Sequence, residues 1–418
     1  MQTKNLRVIG LGVLLSMGAA CSEPPTSGSS TVQVVGAWEG TETDTFLSVV
    51  APFEAATGID VIYLSTRDLR GVIDDGLASG DPPDLSGLEG PAHMADLARR
   101  GALHDLASAI DAQAYRSMVA PTFTDLGSID GHLYGVFVKA TVKGLIWYRP
   151  EAFRRGTPTS WDDLQILAQR SLAGDARQWC VGLESGAASG WPGTDWIESV
   201  VLQSGEDTYD DWVNGTLPWT APEIQRAFLT YGQVVAEDAV YGGAGGAAET
   251  NFADAGGPLF TDPPGCLFLH QGSFMPAFFE SAGMTAGEDF DFFPFPTMTG
   301  TEHGAVIGAG DLIGLFTDDP SAARLIDYLV SAEAQQLWVE HGGALSVNAS
   351  VTEYPNEVAQ REAELLSQAE HFRFDASDHM PPDMNAAFRQ AVLDFTADQS
   401  RLGDILGSLE ARRASAHE

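Results

Sequence analysis

Val32 to Leu64 reads VQVVGAWEGTETDTFLSVVAPFEAATGIDVIYL. Val32-Gln33-Val34-Val35 predicts a short strand. Phe46, Val49, Val50 and Phe53 then recur at helical spacing, and Thr57-Gly58 stops the helix they predict. Ile59 to Leu64 predicts a second strand. Strand, helix, strand is the unit of a parallel sheet, because a parallel neighbour is reached only by a crossover. Ligands of such sheets gather beyond the carboxyl ends of the strands. Trp38 and Glu39 stand at such an end and are candidate binding residues.

The pattern continues outward. Leu69 to Leu77 predicts a helix, and Ser79 to Leu85 a turn entering a strand. Glu89-Gly90-Pro91 opens a helix over Ala92 to Arg100, which places Glu89 at a further strand end; an acid there also suits the helix dipole. Asp130-Gly131 is a hairpin signal. Gly144 to Tyr148 predicts a buried strand, and Ser160 caps a helix. Gly242 to Gly246 has no following Lys-Ser or Lys-Thr and reads as a flexible loop, not a phosphate cradle. No cofactor is expected. The histidines show no metal-ligand spacing, so no metal is expected either.

Trp179 to Trp196 reads WCVGLESGAASGWPGTDW. Its glycines and Pro192 argue against a long helix. The expectation is a strand over Cys180 to Leu183, a shaped loop, and a helix from near Thr194. An indole beside carboxylates suits a sugar, whose apolar face stacks while its hydroxyls bond charged groups. Trp191 for stacking and Asp195 for hydroxyls are the leading pair. The alternative is a buried tryptophan cluster with glycines that permit tight packing.

The chain has 418 residues, 44% of them hydrophobic, which suits two or three domains with substantial cores. Its formal charge is -36, a balance that repels nucleic acid and anionic lipid. Lys4, Lys139 and Lys143 are the only lysines. Residues 1–20 have a signal-peptide layout, and Gly18-Ala19-Ala20 before Cys21 predicts lipidation of Cys21. Residues 21–31 form a polar tether. In an exported chain the remaining Cys180 and Cys266 are a natural disulfide pair, with two buried thiols as the alternative.

Phe53-Glu54-Ala55-Ala56-Thr57-Gly58-Ile59, Pro83-Asp84-Leu85, Gly131 to Gly135, Leu145 to Tyr148 and Pro158 to Leu164 resemble, in order, the motifs of extracellular solute-binding proteins that feed ABC importers. Trp179 to Trp196, Gly265-Cys266 and Phe374 to Asp378 resemble the alpha-glucoside and oligosaccharide branch; maltodextrin-binding proteins are more distant. The resemblance implies an α/β fold of two lobes with a hinge, a ligand cleft and closing C-terminal helices. It implies an N-terminal lobe at 32–139 plus 309–352 and a C-terminal lobe at 140–308 plus 353–418. It adds Asp311, Asp375 and Asp378 to the candidate ligand contacts, and Gln271 and Phe274 join them because a Cys180–Cys266 bond would bring the strand just before them beside Trp179 to Trp196. Asp375 and Asp378 also fit an Asx-turn that starts a helix.

The expected function is capture of a sugar by a monomeric cell-envelope lipoprotein and its delivery to membrane permease subunits, with no catalysis. A secreted glycoside hydrolase using paired carboxylates and a sugar-sensing ectodomain for a membrane receptor are the rival readings.

Overall fold

The computed structural model describes residues 30–152, 156–172, 174–298, 305–369 and 371–416. The expected signal peptide, Cys21 and the tether as far as residue 29 lie outside the described residues. No helix among the described residues is long and apolar enough to cross a membrane.

Two sheets organise the chain. In the first, Thr31–Gly36 pairs in parallel with Asp60–Ser65 on one side and Leu85–Leu88 on the other. The helix Thr41–Thr57 makes the first crossover and buries Phe46, Val49, Val50 and Phe53, the stripe seen in the sequence. Gly58 ends it with φ 69°, a left-handed conformation that favours glycine. The sheet order is His371–Phe374, Ala305–Leu315, Leu85–Leu88, Thr31–Gly36, Asp60–Ser65. Ala305–Leu315 also runs antiparallel to Gly135–Val142.

The second sheet has the order Asp291–Pro294, Leu145–Tyr148, Cys266–Gln271, Arg177–Cys180. Every residue of Leu145–Tyr148 and of Cys266–Gln271 is buried, which is why Leu145–Tyr148 and Cys266–Leu269 read as unbroken apolar runs. Cys180 and Cys266 are disulfide-bonded, with their Cα atoms 5.6 Å apart on neighbouring strands. The bond therefore lies within one sheet.

The chain passes between the sheets where Gly135–Val142 gives way to Leu145–Tyr148, returns between Asp291–Pro294 and Ala305–Leu315, and leaves the first sheet again where His371–Phe374 leads into the helices Ala376–His379 and Pro382–Ala397. Pro382–Ala397 packs on the helix Trp191–Leu202 beside the second sheet. The boundaries expected at 139/140 and 308/309 fall inside the strands Gly135–Val142 and Ala305–Leu315. His371–Phe374, from the segment 353–418 allotted to the second lobe, adds to the edge of the first sheet.

Three local expectations differ. The strand near Cys180 is Arg177–Cys180, and 181–190 is largely irregular. The helix expected near Thr194 begins at Trp191, because Pro192 falls in the first turn, where a missing N–H breaks no helical bond. Gly243–Glu249 is a short helix, not a flexible loop.

Candidate functional site

A cleft between the two sheets collects the carboxyl ends of the parallel strands. Gly36 ends the first strand, Ala37 and Trp38 follow it, and Leu88 and Glu89 close the third. From the other side come Trp191 and Asp195 at the start of their helix, with Phe252 and Phe274. The crossing strand Gly135–Val142 forms its floor. Alternate residues of a strand share a face, and Lys139, Thr141 and Lys143 all line the cleft. Both lysines of the described chain therefore point into it.

Lys139 is held on the first-lobe side. Its Nζ lies 3.1 Å from Glu42 Oε1 and 3.3 Å from Asp311 Oδ2. Asp311 is its direct partner across the strand pair, at a bulge between Asp311 and Leu312. The ammonium also sits 5.4 Å from the Trp38 ring centre and 5.5 Å from that of Trp338. Burial opposes its charge, but Asp311 and Glu42 outweigh that and raise its pKa.

Lys143 anchors a denser cluster. Nζ lies 2.9 Å from Asp195 Oδ2 and 3.1 Å from Asp375 Oδ2. Asp375 caps the short helix Ala376–His379, accepting hydrogen bonds from Ser377 Oγ at 2.7 Å and from the Asp378 N–H at 3.1 Å. Glu198, one turn beyond Asp195, accepts the N–H groups of Ala376 at 2.8 Å and Ser377 at 3.1 Å. Oxygens of Asp195, Glu198 and Asp375 lie within 4.8 Å of one another, and the Lys143 ammonium supplies the positive charge among them. Burial pushes Asp195 up to about 7, with Lys143 pulling against it. Burial also raises Glu198 and Asp378, reinforced in both by the charge of Asp375. For Asp375, burial is overcome by Lys143 and the Ser377 hydroxyl, so its pKa falls below the ordinary value.

Trp191 forms the aromatic wall. Its ring centre lies 5.2 Å from that of Phe252 and 5.9 Å from that of Phe274, both edge-on. Lys143 Nζ stands 4.7 Å from the same centre, a cation–π contact. The indole Nε1 is buried and has no partner among the described residues. Gly190 and Gly193 serve the helix behind. A Cβ at Gly190 would lie 2.4 Å from Arg389 O, and one at Gly193 2.4 Å from Val392 Cγ1. These glycines thus admit the close approach of Pro382–Ala397.

Of the sequence-derived candidates, Trp38, Glu89, Trp191, Asp195, Phe274, Asp311, Asp375 and Asp378 line the cleft. Trp38 does so from within the first core, 4% exposed and packed on Phe46 and Trp338. Glu39 is exposed and not among the lining residues; Glu42, one helical turn on, takes that place. Gln271 is buried in the second sheet beside Leu145, off the cleft. Arg67, Glu42 and Arg389 line the cleft without having been singled out. Arg67 follows the second strand, so the strand-end rule that picked Trp38 and Glu89 also points to it. Its guanidinium lies 5.3 Å from the Phe252 ring centre, spanning the cleft mouth. Arg389 Nη2 approaches Glu89 Oε1 to 3.6 Å, likewise from the opposite side. Arg389 lies in an ordinary amphipathic helix, and no local pattern marks it.

Known proteins extend this description. The chain is 33% identical over 404 residues to the osmoprotective compounds-binding protein GgtB of Synechocystis sp., covering 94% of this chain and 95% of that one. It is 35% identical over 388 residues to the alpha-glucosides-binding periplasmic protein AglE of Rhizobium meliloti, covering 88% of this chain and 84% of that one. A solved chitin oligosaccharide binding protein superposes with a TM-score of 0.79 at 16% identity, covering 93% of this chain and 99% of that one, which shows a shared two-lobe fold. The family model for bacterial extracellular solute-binding proteins matches residues 38–336, and this chain belongs to that family.

Proposed function

We propose that this protein is a cell-envelope receptor that captures a neutral alpha-glucoside in the cleft and delivers it to the permease subunits of an ABC importer. The observation that carries the reading is the pairing of an aromatic wall at Trp191 with carboxylates of both lobes around one cleft, in a chain 35% identical to an alpha-glucosides-binding protein. An indole face takes the apolar side of a pyranose, and Asp378, Asp311 and Glu89 accept its hydroxyls. Of the cleft cations, Lys139, Lys143 and Arg389 already face carboxylates, which favours an uncharged ligand. The lobes are built around the two sheets and close about the chain crossings beside Lys143 and Asp375. The receptor acts as a monomer, is tethered through lipid on Cys21, and turns over nothing.

Similarity to GgtB favours a second reading, an osmoprotective compound as ligand. Calorimetric titration with maltose, trehalose, sucrose and glycine betaine separates the two. Binding of the glucosides and not of betaine supports the proposal; betaine alone rejects it. Release of nitrophenol from aryl-glucosides would reject the receptor reading in favour of a hydrolase. A Cys21→Ser variant should move from the membrane fraction to the soluble fraction.

A further inference from the structure

Glu198 is fully buried, although nothing in its position on the helix Trp191–Leu202 marks it as functional. It lies behind the cleft, and its two backbone hydrogen bonds run to the segment that carries Asp375 and Asp378 into the cleft. Oε1 accepts the Ser377 N–H at 3.1 Å, and Oε2 accepts the Ala376 N–H at 2.8 Å. Oε2 also lies 3.3 Å from the Tyr209 hydroxyl, from the helix Glu206–Val213.

Tyr209 has one hydrogen and two oxygen neighbours. The nearer is the Phe374 carbonyl at 3.1 Å, which can only accept. Once Tyr209 donates there, the contact to Glu198 is a hydrogen bond only if the carboxyl carries the proton. The charges agree. Glu198, Asp195 and Asp375 surround the single ammonium of Lys143, and Asp195 and Asp375 take that ammonium directly. A third buried anion would stand uncompensated. Asp378 faces the same cluster with Arg389 beyond it, and His379 ends the short helix. His270, on the neighbouring strand, faces Ser199.

We propose that Glu198 is held as the neutral acid in the folded protein and is a positioning residue for the ligand. Donating to Tyr209 and accepting from Ala376 and Ser377, it fixes the turn that aims Asp375 and Asp378 into the cleft. Burial together with the Asp375 and Asp195 charges raises its pKa in the same direction. The unfolded chain releases this proton above the ordinary carboxylate range while the folded chain keeps it. Stability contributed by the site therefore declines as pH rises from that range towards the folded pKa. Loss of the proton in the folded state puts an unneutralised charge against Asp375 and loosens the turn.

Infrared difference spectra of the mature protein at neutral pH test the proton directly. Among the carbonyl stretches of buried carboxylic acids, the wild type should show one that Glu198→Gln lacks. Tyr209→Phe removes the acceptor and should shift the band to higher frequency without abolishing it. Absence of the band in wild type, its survival in Glu198→Gln, its loss in Asp195→Asn, or an unshifted band in Tyr209→Phe would each overturn the assignment.

The positioning role rests on the sugar reading and has its own arm, maltose or trehalose titration over a pH series. Wild-type affinity should fall by about tenfold, the weight of one pKa unit, as rising pH ionises Glu198. Glu198→Gln should lack that fall, and Glu198→Ala should bind weakly at every pH. A Glu198→Gln profile that follows wild type overturns the positioning role. Failure of every sugar to bind the wild type instead rejects the sugar reading and leaves the infrared result standing.

Discussion

Lys143 Nζ stands 2.9 Å from Asp195 Oδ2, with the two side chains 9% and 2% exposed. An ion pair so far from water is retained only when both charges are met, because desolvation costs several kcal/mol per ion. The second carboxylate on Lys143, that of Asp375, belongs to the segment that leaves the first sheet. One ammonium thus ties the link between the crossing strands, the helix Trp191–Leu202 and the start of Ala376–His379.

Removing that ammonium should therefore be costly. Lys143→Met leaves Asp195 and Asp375 facing each other without compensation and should lower the unfolding free energy by about 3 to 5 kcal/mol. Urea denaturation at neutral pH measures it. A loss under about 1 kcal/mol, the worth of an exposed pair, would show that the carboxylates do not depend on Lys143.

Trp191 is only half-buried, and one side of its ring is taken by Lys143. If a sugar occupies the rest, Trp191→Ala should weaken binding by about 2 to 4 kcal/mol from lost stacking and buried area. Folding should suffer less than the roughly 3 to 5 kcal/mol expected of a core tryptophan. Titration and thermal melts of both proteins decide it. Unchanged affinity with a collapsed melting temperature would mean that the ring is purely structural.

The disulfide closes a separation of 86 residues inside one sheet. Chain entropy assigns it roughly 4 kcal/mol. The double variant Cys180→Ala, Cys266→Ala should lose stability on that scale in denaturant titrations, yet keep its ligand affinity, because the bond does not span the cleft. A large loss of affinity in a protein that is still folded would contradict this placement.

His270 is stacked on Trp196 at 4.3 Å between ring centres, with Nε2 3.0 Å from Ser199 Oγ. Burial, aided by the Lys143 charge, pushes it down to about 3. Below about pH 6.5 the unfolded chain binds a proton that the folded chain refuses, so stability is lost on acidification from there towards about pH 3. The high pKa of Asp195 acts in the opposite sense, so the informative quantity is the difference between two proteins. His270→Gln should show a shallower acid limb than wild type. Identical limbs would remove His270 from the acid response.

Much of the fold was legible in the sequence because it is written in local periodicities. Phe46, Val49, Val50 and Phe53 carry the helical period, and Leu145–Tyr148 reads as a strand buried on both faces. Together with the rule that ligands sit at strand ends, this was enough to place Trp38 and Glu89 at the cleft, and Trp191 and Asp195 followed from composition. The exchange of Glu39 for Glu42 marks the limit of that rule: it names a strand end, while the helix that follows decides which side chain turns inward. Only the tertiary structure showed that Gly190 and Gly193 make room for the helix Pro382–Ala397, about two hundred residues later in the chain. It alone showed Lys143 between Asp195 and Asp375, and Glu198 beneath them. A buried charge is decided by which partners converge on it from distant segments, and no window of neighbouring residues contains that information.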